Sequence, residues 1–537
     1  MRKNHYFNNL LNAILLSTAL TAWPQSWLDY DQVLLRYPLL HTANAAALTT
    51  YAPPDSSQLL LGDAQLVLST AHGHLDQLHL APHAWQAQGL VRSIYRMGSR
   101  VVVRGMMDYS YGWGSGAGGS VWIDPEQMPF DITETSDSTR GNISLETYHL
   151  SGQAGVDVGK GFNLGVSFDY TTGSGAKKKD PRHTNTLMLT TASAGIMWHH
   201  AGWHLGGNYL FARRTEALKF STAGRSGQVY HYLIDQGAYY GREETTEAEG
   251  YVGTSHERPL LDTRHGVALQ AEYSSAATSI GLEGMWSHRQ GHYGIESPSM
   301  IDYNRHHGHQ WWVTSWWQHA TDGALQRVAI GWNRQAITDL ERTYRTTTHH
   351  GVTDVNYYDD RLMGKRHTDV LMLTGDLQWG VRRSVATWEA QIELSHHRRS
   401  LTATLFPFYR RQQIHHTDFI ATGTRRWILE DGHMWTLAVQ AGWVTGGGTA
   451  SHDGTFQTPA ADAPHPAEQQ LYLMRQFELL TTHRMLAGAS VQWLFPTRNH
   501  ALRPYVKASY RCEHAWDTHY LDDGHRHHAA LTMGCQF

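Results

Sequence analysis

The stretch from Tyr148 to Thr171 constrains this chain more than any other. Tyr148, Leu150, Ala154, Val156 and Val158 fall on one side of an extended backbone, and His149, Ser151, Gln153 and Asp157 on the other. Gly159-Lys160-Gly161 follows, with glycine where a tight hairpin needs positive φ. Then Phe162, Leu164, Val166, Phe168 and Tyr170 oppose Asn163, Ser167, Asp169 and Thr171. Successive side chains of a strand point to opposite faces, so each strand offers one face to hydrocarbon and one to water. The pattern returns at 267–273, 386–394, 435–443 and 506–513. Its apolar faces carry rings, Trp198, Trp203, Trp286, Trp332, Trp379 and Trp493 among them. A soluble sandwich has little use for so many outward rings. A membrane barrel sets them as girdles at its two water interfaces.

Composition agrees. Charged residues are 17% and aromatics 11%, yet mean hydropathy is negative at -0.46. Beyond the N-terminus no run of about 18 apolar residues exists, which excludes a helical membrane protein. A net charge of -4 gives no reason to invoke nucleic acid. Two cysteines, Cys512 and Cys535, do not make a disulfide scaffold and are expected unbonded.

The expectation is an all-β fold, a transmembrane antiparallel β-barrel of about 16–18 strands with short periplasmic turns and long extracellular loops. Short connections sit at 159–161, 201–202, 276–277, 321–323, 380–384, 431–432 and 496–500, and long ones at 112–141, 173–185, 217–262, 289–308, 340–365 and 444–468. Counting from Arg100 gives 16 strands, and the less regular segments 60–69 and 86–96 raise the number to 18, which is preferred. Chain ends on one side require an even number, so 469–481 is assigned to the outer loop or above the membrane. Arg2 and Lys3, the apolar run 10–20 and the small residues Thr21 and Ala22 have the pattern of a secretory leader. The division expected is a signal peptide at 1–22, a periplasmic or plug-like segment at 23–58 and the barrel at 59–537.

The ending, His528 to Phe537, alternates again and stops on an aromatic residue. It resembles the closing strand of bacterial outer-membrane barrels, which implies that Phe537 belongs to an assembly signal. Asn44-Ala45-Ala46-Ala47-Leu48 resembles the short Asn-Pro-Ala-type element of long-chain fatty-acid transport barrels, without the proline. The hairpin 149–172, the loop 176–183 with Asn185-Thr186-Leu187, the pair Arg213-Arg214 and the loop Gly446-Gly447-Gly448-Thr449 resemble an uncharacterised outer-membrane barrel family of the Bacteroidetes. That resemblance implies fold and location, and no residue roles.

Charges on the inward faces are expected to line a wet lumen or to brace the wall, because each would cost roughly 2–4 kcal/mol at the lipid midplane. They include Asp157, Asp169, Glu272, Asp376, Glu389, Glu393, Lys507 and Arg511. The basic loop 177–183 is read as solvated; the alternatives are a loop that holds anionic lipopolysaccharide and one that folds inward to constrict the pore.

Histidine is the compositional anomaly, at 37 residues. The clusters His306, His307 and His309, His349 and His350, and His525, His527 and His528 fall at one rim of the expected topology and form a candidate centre for a transition metal or haem. Pairs also occur at His396-His397 and His415-His416. Adjacent histidines on a strand point to opposite faces, so each pair gives one ligand to any site. No other cofactor is expected. Ser395-His396 and the acidic residues Glu243, Glu244, Glu247 and Glu249 have no spacing that fixes a nucleophile beside a base, so no enzyme is expected. The functional expectation is a channel or transport-associated barrel for solute uptake or export. The alternatives are a surface metal- or haem-binding accessory of an uptake system and a barrel enzyme. Expected partners are outer-membrane lipid, lipopolysaccharide, the barrel assembly machinery and a neighbouring TonB-dependent transporter.

Overall fold

The computed structural model describes residues 30–51, 60–223, 228–297, 299–350, 352–382, 385–497 and 502–537. The expected leader at 1–22 lies outside them. Eighteen antiparallel strands, from Leu60–His72 to His525–Gln536, form one sheet in which each pairs with its neighbours. The sheet closes because Leu60–His72 pairs both with His83–Met97 and with His525–Gln536. Closure leaves no edge, which is the condition for strands to cross hydrocarbon. Phe537 completes the seam: its amide donates to the Gly62 carbonyl at 3.0 Å and its carbonyl accepts from the Gly62 amide at 2.7 Å. The Phe537 ring covers Gly62, where a Cβ would lie 2.3 Å from it.

The outward face is that of a membrane wall. Leu164, Val166, Leu269, Ile280, Leu371 and Val439 stand exposed between two levels of rings. Near the short turns, Trp379 stacks on Trp388 at 6.1 Å, Trp435 on Trp493 at 5.3 Å, and Trp203 meets Tyr273 at 5.0 Å. Toward the other end, Trp85 meets Tyr111 at 5.6 Å, Tyr109 meets Tyr148 at 4.7 Å and Trp443 meets Trp516 at 5.7 Å. An apolar band between aromatic girdles on a closed barrel makes this an outer-membrane protein. Among the described residues no helix is long and apolar enough to cross a membrane. The two cysteines are free.

Three of the expected long loops are strand instead. Ala324–His349 and Val352–Arg382 run 26 and 31 residues, so 340–365 is mostly ladder, and 173–185 and 289–308 also continue the wall. About 9–11 residues suffice to cross a bilayer, so these hairpins project well beyond it. Once both faces meet water the apolar alternation stops while the hydrogen-bond ladder goes on, and the sequence pattern then looks like a loop. Gln470–Thr481 lies outside the spanning wall and is an α-helix. Its Arg475 pairs with Asp137 at 2.8 Å, and the Glu478 carboxylate accepts from the amides of Tyr520 and Leu521 at 2.7 and 2.8 Å. The helix thereby ties three outer segments together.

Candidate functional site

The lumen is obstructed at two levels by the chain itself. Toward the short turns, residues 30–51 fold as a helix, Tyr30–Arg36, and two 3-10 turns, Pro38–His41 and Ala45–Thr50. Arg92 pairs with Asp31 at 2.6 Å, and Arg104 donates to the Leu40 carbonyl at 3.0 Å. The Glu283 carboxylate accepts from the Ala43 amide at 2.9 Å, and Gln318 donates to the Arg36 carbonyl at 2.9 Å. Asn44, 1% exposed, donates to the carbonyls of Ile196 at 2.9 Å and Gly207 at 3.4 Å and to Gln270 Oε1 at 3.1 Å. The 3-10 turn after Asn44 rests on three glycines, Gly155, Gly165 and Gly195, that stand side by side on adjacent strands. A Cβ on them would lie 2.8 Å from the Ala45 carbonyl oxygen, 1.9 Å from the Ala46 nitrogen and 2.3 Å from Asn44 Oδ1. The glycines make a flat shelf, and the run of small residues from Ala45 to Ala47 is what can lie on it.

At the opposite end a second sheet, built from Asp131–Glu134, His231–Asp235, Tyr240–Thr245 and Ala467–Glu468, forms a cap. Ile132, Tyr232 and Ile234 of this sheet, with Trp122, Phe130 and Tyr251 from the adjoining loops, pack against Tyr293 and Tyr303 of the wall. Lys177 bonds Glu134 at 2.5 Å with both side chains 1% exposed, so the basic loop sends one lysine inward as a pin rather than leaving it solvated. Arg410 pairs with Glu468 of the cap and, at 2.7 Å, with Asp453. Arg242 of the cap pairs with Glu341 of the wall.

Beneath the cap lies a chamber of about 390 Å³. Asn333, Gln335, Thr368, His397, Arg399 and His416 line it from the wall, and Gln127, Asp131, Gln236, Tyr239 and Gln476 from the cap side. Arg366 donates to the carbonyls of Glu126 and Met128 at 2.8 and 2.7 Å, and Arg399 to Gln412 and Gln476 at 2.8 and 2.9 Å. Burial in the cap pushes the Asp131 carboxyl up to about 8 against the bond from Ser120, and burial raises Asp235 too. The chamber is therefore mixed: Ile337, Val370, Leu401, Ile414 and Leu479 alternate with these hydrogen-bonding groups, the combination that small-solute sites use.

On the chamber wall, two directly paired positions bring four side chains to one inward patch. His397 faces His416, and Ser395 faces Asp418. The imidazoles stack at 4.4 Å and 9°. Nε2 of His397 is 3.7 Å from Asp418 Oδ2, and Nε2 of His416 is 4.0 Å from it. The expectations from sequence did not single out this group. The signal was present: the two histidine pairs lie equally far from the Phe406-Pro407 turn between Val385–Leu405 and Phe408–Ile428, so a tight turn there makes them face each other.

The histidines proposed from sequence as one centre are not brought together. His306 is buried on the inward face, 3.6 Å from Asp262, while His307 and His309 point outward, His309 against His288 at 4.8 Å. His349 and His350 are exposed at the tip of the longest hairpin. His525 and His527 contact each other at 5.2 Å on the outer face, while His528 faces the opposite way. The clusters sit on separate strands and point in different directions, so a shared rim does not give a shared site.

The inward charges have local partners. Asp157 accepts from the turn amide of Gly159 at 2.8 Å, Asp169 pairs with His149 at 2.7 Å, and Glu272 accepts from the Trp316 indole at 3.0 Å. Glu389 pairs with Arg426 at 2.7 Å, Arg511 with Glu513, and Asp376 lies beside Arg327. Glu393 and Lys507 are half-buried on the same face and make no ion pair among the described residues.

Solved structures of similar outline include the ferric preacinetobactin receptor BauA from Acinetobacter baumannii, at 7% identity over 89% of this chain and 80% of that one with a TM-score of 0.40. The outer membrane transporter YddB from Escherichia coli has 6% identity over 88% and 81% with a TM-score of 0.39, and the ferric citrate transporter FecA 9% over 89% and 78% with a TM-score of 0.38. Likeness at that level is one of barrel outline, and nothing about cargo follows from it. No curated protein matches the chain. Residues 58–537, a span that takes in every wall strand and the cap, match the family of unknown function DUF6850, and the chain belongs to that family.

Proposed function

We propose that the protein is a gated conduit for a small polar solute across the outer membrane, in uptake or export. The observation that carries this reading is a wide eighteen-stranded wall around a chamber lined by charged and amide side chains among apolar ones, with obstructions built from the chain's own residues at both levels. A barrel serving only as an anchor needs no such width, since about 8 strands already enclose a filled interior. In this reading 23–58 is a plug, 1–22 an exported leader, and Phe537 part of the signal read by the barrel assembly machinery. Lipopolysaccharide contacts the outward girdle, a Bacteroidetes envelope is the setting, and a TonB-dependent transporter is a neighbour rather than the protein's own mechanism. The barrel carries no catalysis. The accessory role in metal or haem capture draws no support from the dispersed clusters around His306, His349 and His525.

The test is single-channel recording in planar bilayers of the full chain and of a chain lacking 23–58 in which Lys177→Met also unpins the cap. Rare or small steps for the first and large steady steps for the second are expected, with both proteins migrating faster before boiling than after. A deletion that keeps that fast migration and stays electrically silent sinks the conduit.

A further inference from the structure

We propose that His397, His416 and Asp418 bind one divalent transition-metal cation of the zinc type on the chamber wall. The three residues come from adjacent strands, His397 on one and His416 and Asp418 on the other, and their ligand atoms all lie within 4.8 Å of one another. Tetrahedral bonds of about 2.0–2.1 Å set ligand atoms roughly 3.3–3.5 Å apart, so the 3.7 and 4.0 Å separations to Asp418 Oδ2 need closure of under 1 Å, and the widest pair, within 4.8 Å, needs at most about 1.4 Å. Rotation of the two stacked rings, so that their in-plane lone pairs converge, is the movement binding requires, and the paired backbone already holds the Cβ positions together.

Three further observations favour a cation. The imidazoles stack face to face with no hydrogen bond between them, so neither ring satisfies the other. Asp418 Oδ1 is buried and makes no hydrogen bond among the described residues, and a buried carboxylate oxygen without a partner is costly. Ser395 Oγ donates to Asp418 Oδ2 at 3.4 Å and can orient the carboxylate, while its 3.1 Å bond to His397 Nε2 is one that a cation would replace. The nearby cations are engaged elsewhere: Arg399 with Gln412 and Gln476, and Arg484 with the Leu479 carbonyl. Two imidazoles and one carboxylate suit zinc-like ions and leave a coordination position free. Both histidines line the chamber, so that position opens to whatever the chamber holds, such as water or an oxygen or nitrogen donor of a solute.

Strand alternation provides an internal control. His396 and His415 precede the ligands by one residue each and point outward, with their rings 6.2 Å apart. Zinc titration calorimetry on the refolded full chain should show one tight site per barrel. H397Q/H416Q should weaken it by more than about 100-fold, beyond the 10–100-fold typical of an outer-sphere change, while H396Q/H415Q leaves it within about 3-fold. Equal zinc binding by the wild type and H397Q/H416Q, or equal loss in both double variants, overturns the proposal. Zinc X-ray absorption on the wild type avoids any folding defect of the variants. Two imidazole nitrogens at about 2.0–2.1 Å are expected, and a first shell without imidazole rejects the site. None of these readouts depends on conductance, so a failed conduit and a failed metal site are told apart.

Discussion

Gly165→Ala should unseat the segment that fills the lower lumen. Alanine in place of an interior strand glycine ordinarily stabilises, by about 0.5–1 kcal/mol. Here the new Cβ would sit 1.9 Å from the Ala46 nitrogen and 2.3 Å from the Ala45 carbonyl carbon, both backbone atoms that no side-chain rotation can move. Ordinary contact begins at 3.4 Å, so the 3-10 turn has to retreat by about 1.5 Å. Overpacking of this kind costs about 1–3 kcal/mol. The retreat also lengthens the Asn44 bonds to Ile196 and Gln270, now 2.9 and 3.1 Å, leaving a buried amide short of partners at a further 1–3 kcal/mol or so. A total near 3 kcal/mol shifts the seated-to-unseated ratio roughly 100-fold. Single-channel recording reads this as open time, and protease cleavage within 30–51 reads it independently. Gly175→Ala is the control, on the same strand and the same face, where the nearest atoms are 3.6 Å away. If the two variants behave alike in both assays, the glycine shelf does not hold the plug.

Lys177→Met should loosen the cap, because it leaves Glu134 buried and unpaired, at about 3–5 kcal/mol; protease sensitivity of 118–140 should rise, and adding Glu134→Gln should restore much of the resistance. Asp131 favours its neutral form in the fold, with its pKa raised from 3.8 to about 8. The stabilisation it gives is complete below the ordinary value and is lost as pH rises through 8, so the cap should be cut faster at pH 9 than at pH 5, and Asp131→Asn should flatten that difference. Gly62→Val pushes against the Phe537 ring and Phe537→Ala removes it; both should lower the fraction of fast-migrating unboiled barrel, and normal yields of both would show that the seam does not need this contact.

The sequence by itself determined the barrel. Lipid outside and water inside impose opposite demands at every second residue, and that demand is written plainly in 148–171 and at the C-terminus. It also fixed the even strand count, the free cysteines and the rule that His396-His397 and His415-His416 each send one ring to either side. Only the tertiary structure decided what fills the lumen. Inward positions need only be polar, so Asp157 at a turn, Glu272 under an indole and Asp418 beside two imidazoles look the same along the chain. Which inward residues meet depends on register, and register depends on turns such as Phe406-Pro407 that carry no marked glycine signal. The glycine shelf is hidden for the same reason: Gly155, Gly165 and Gly195 look like ordinary strand glycines until three strands align them under Ala45 and Ala46. Above the membrane both faces of a strand are wet, the alternation vanishes, and the length of the projecting hairpins could be seen only in the folded wall.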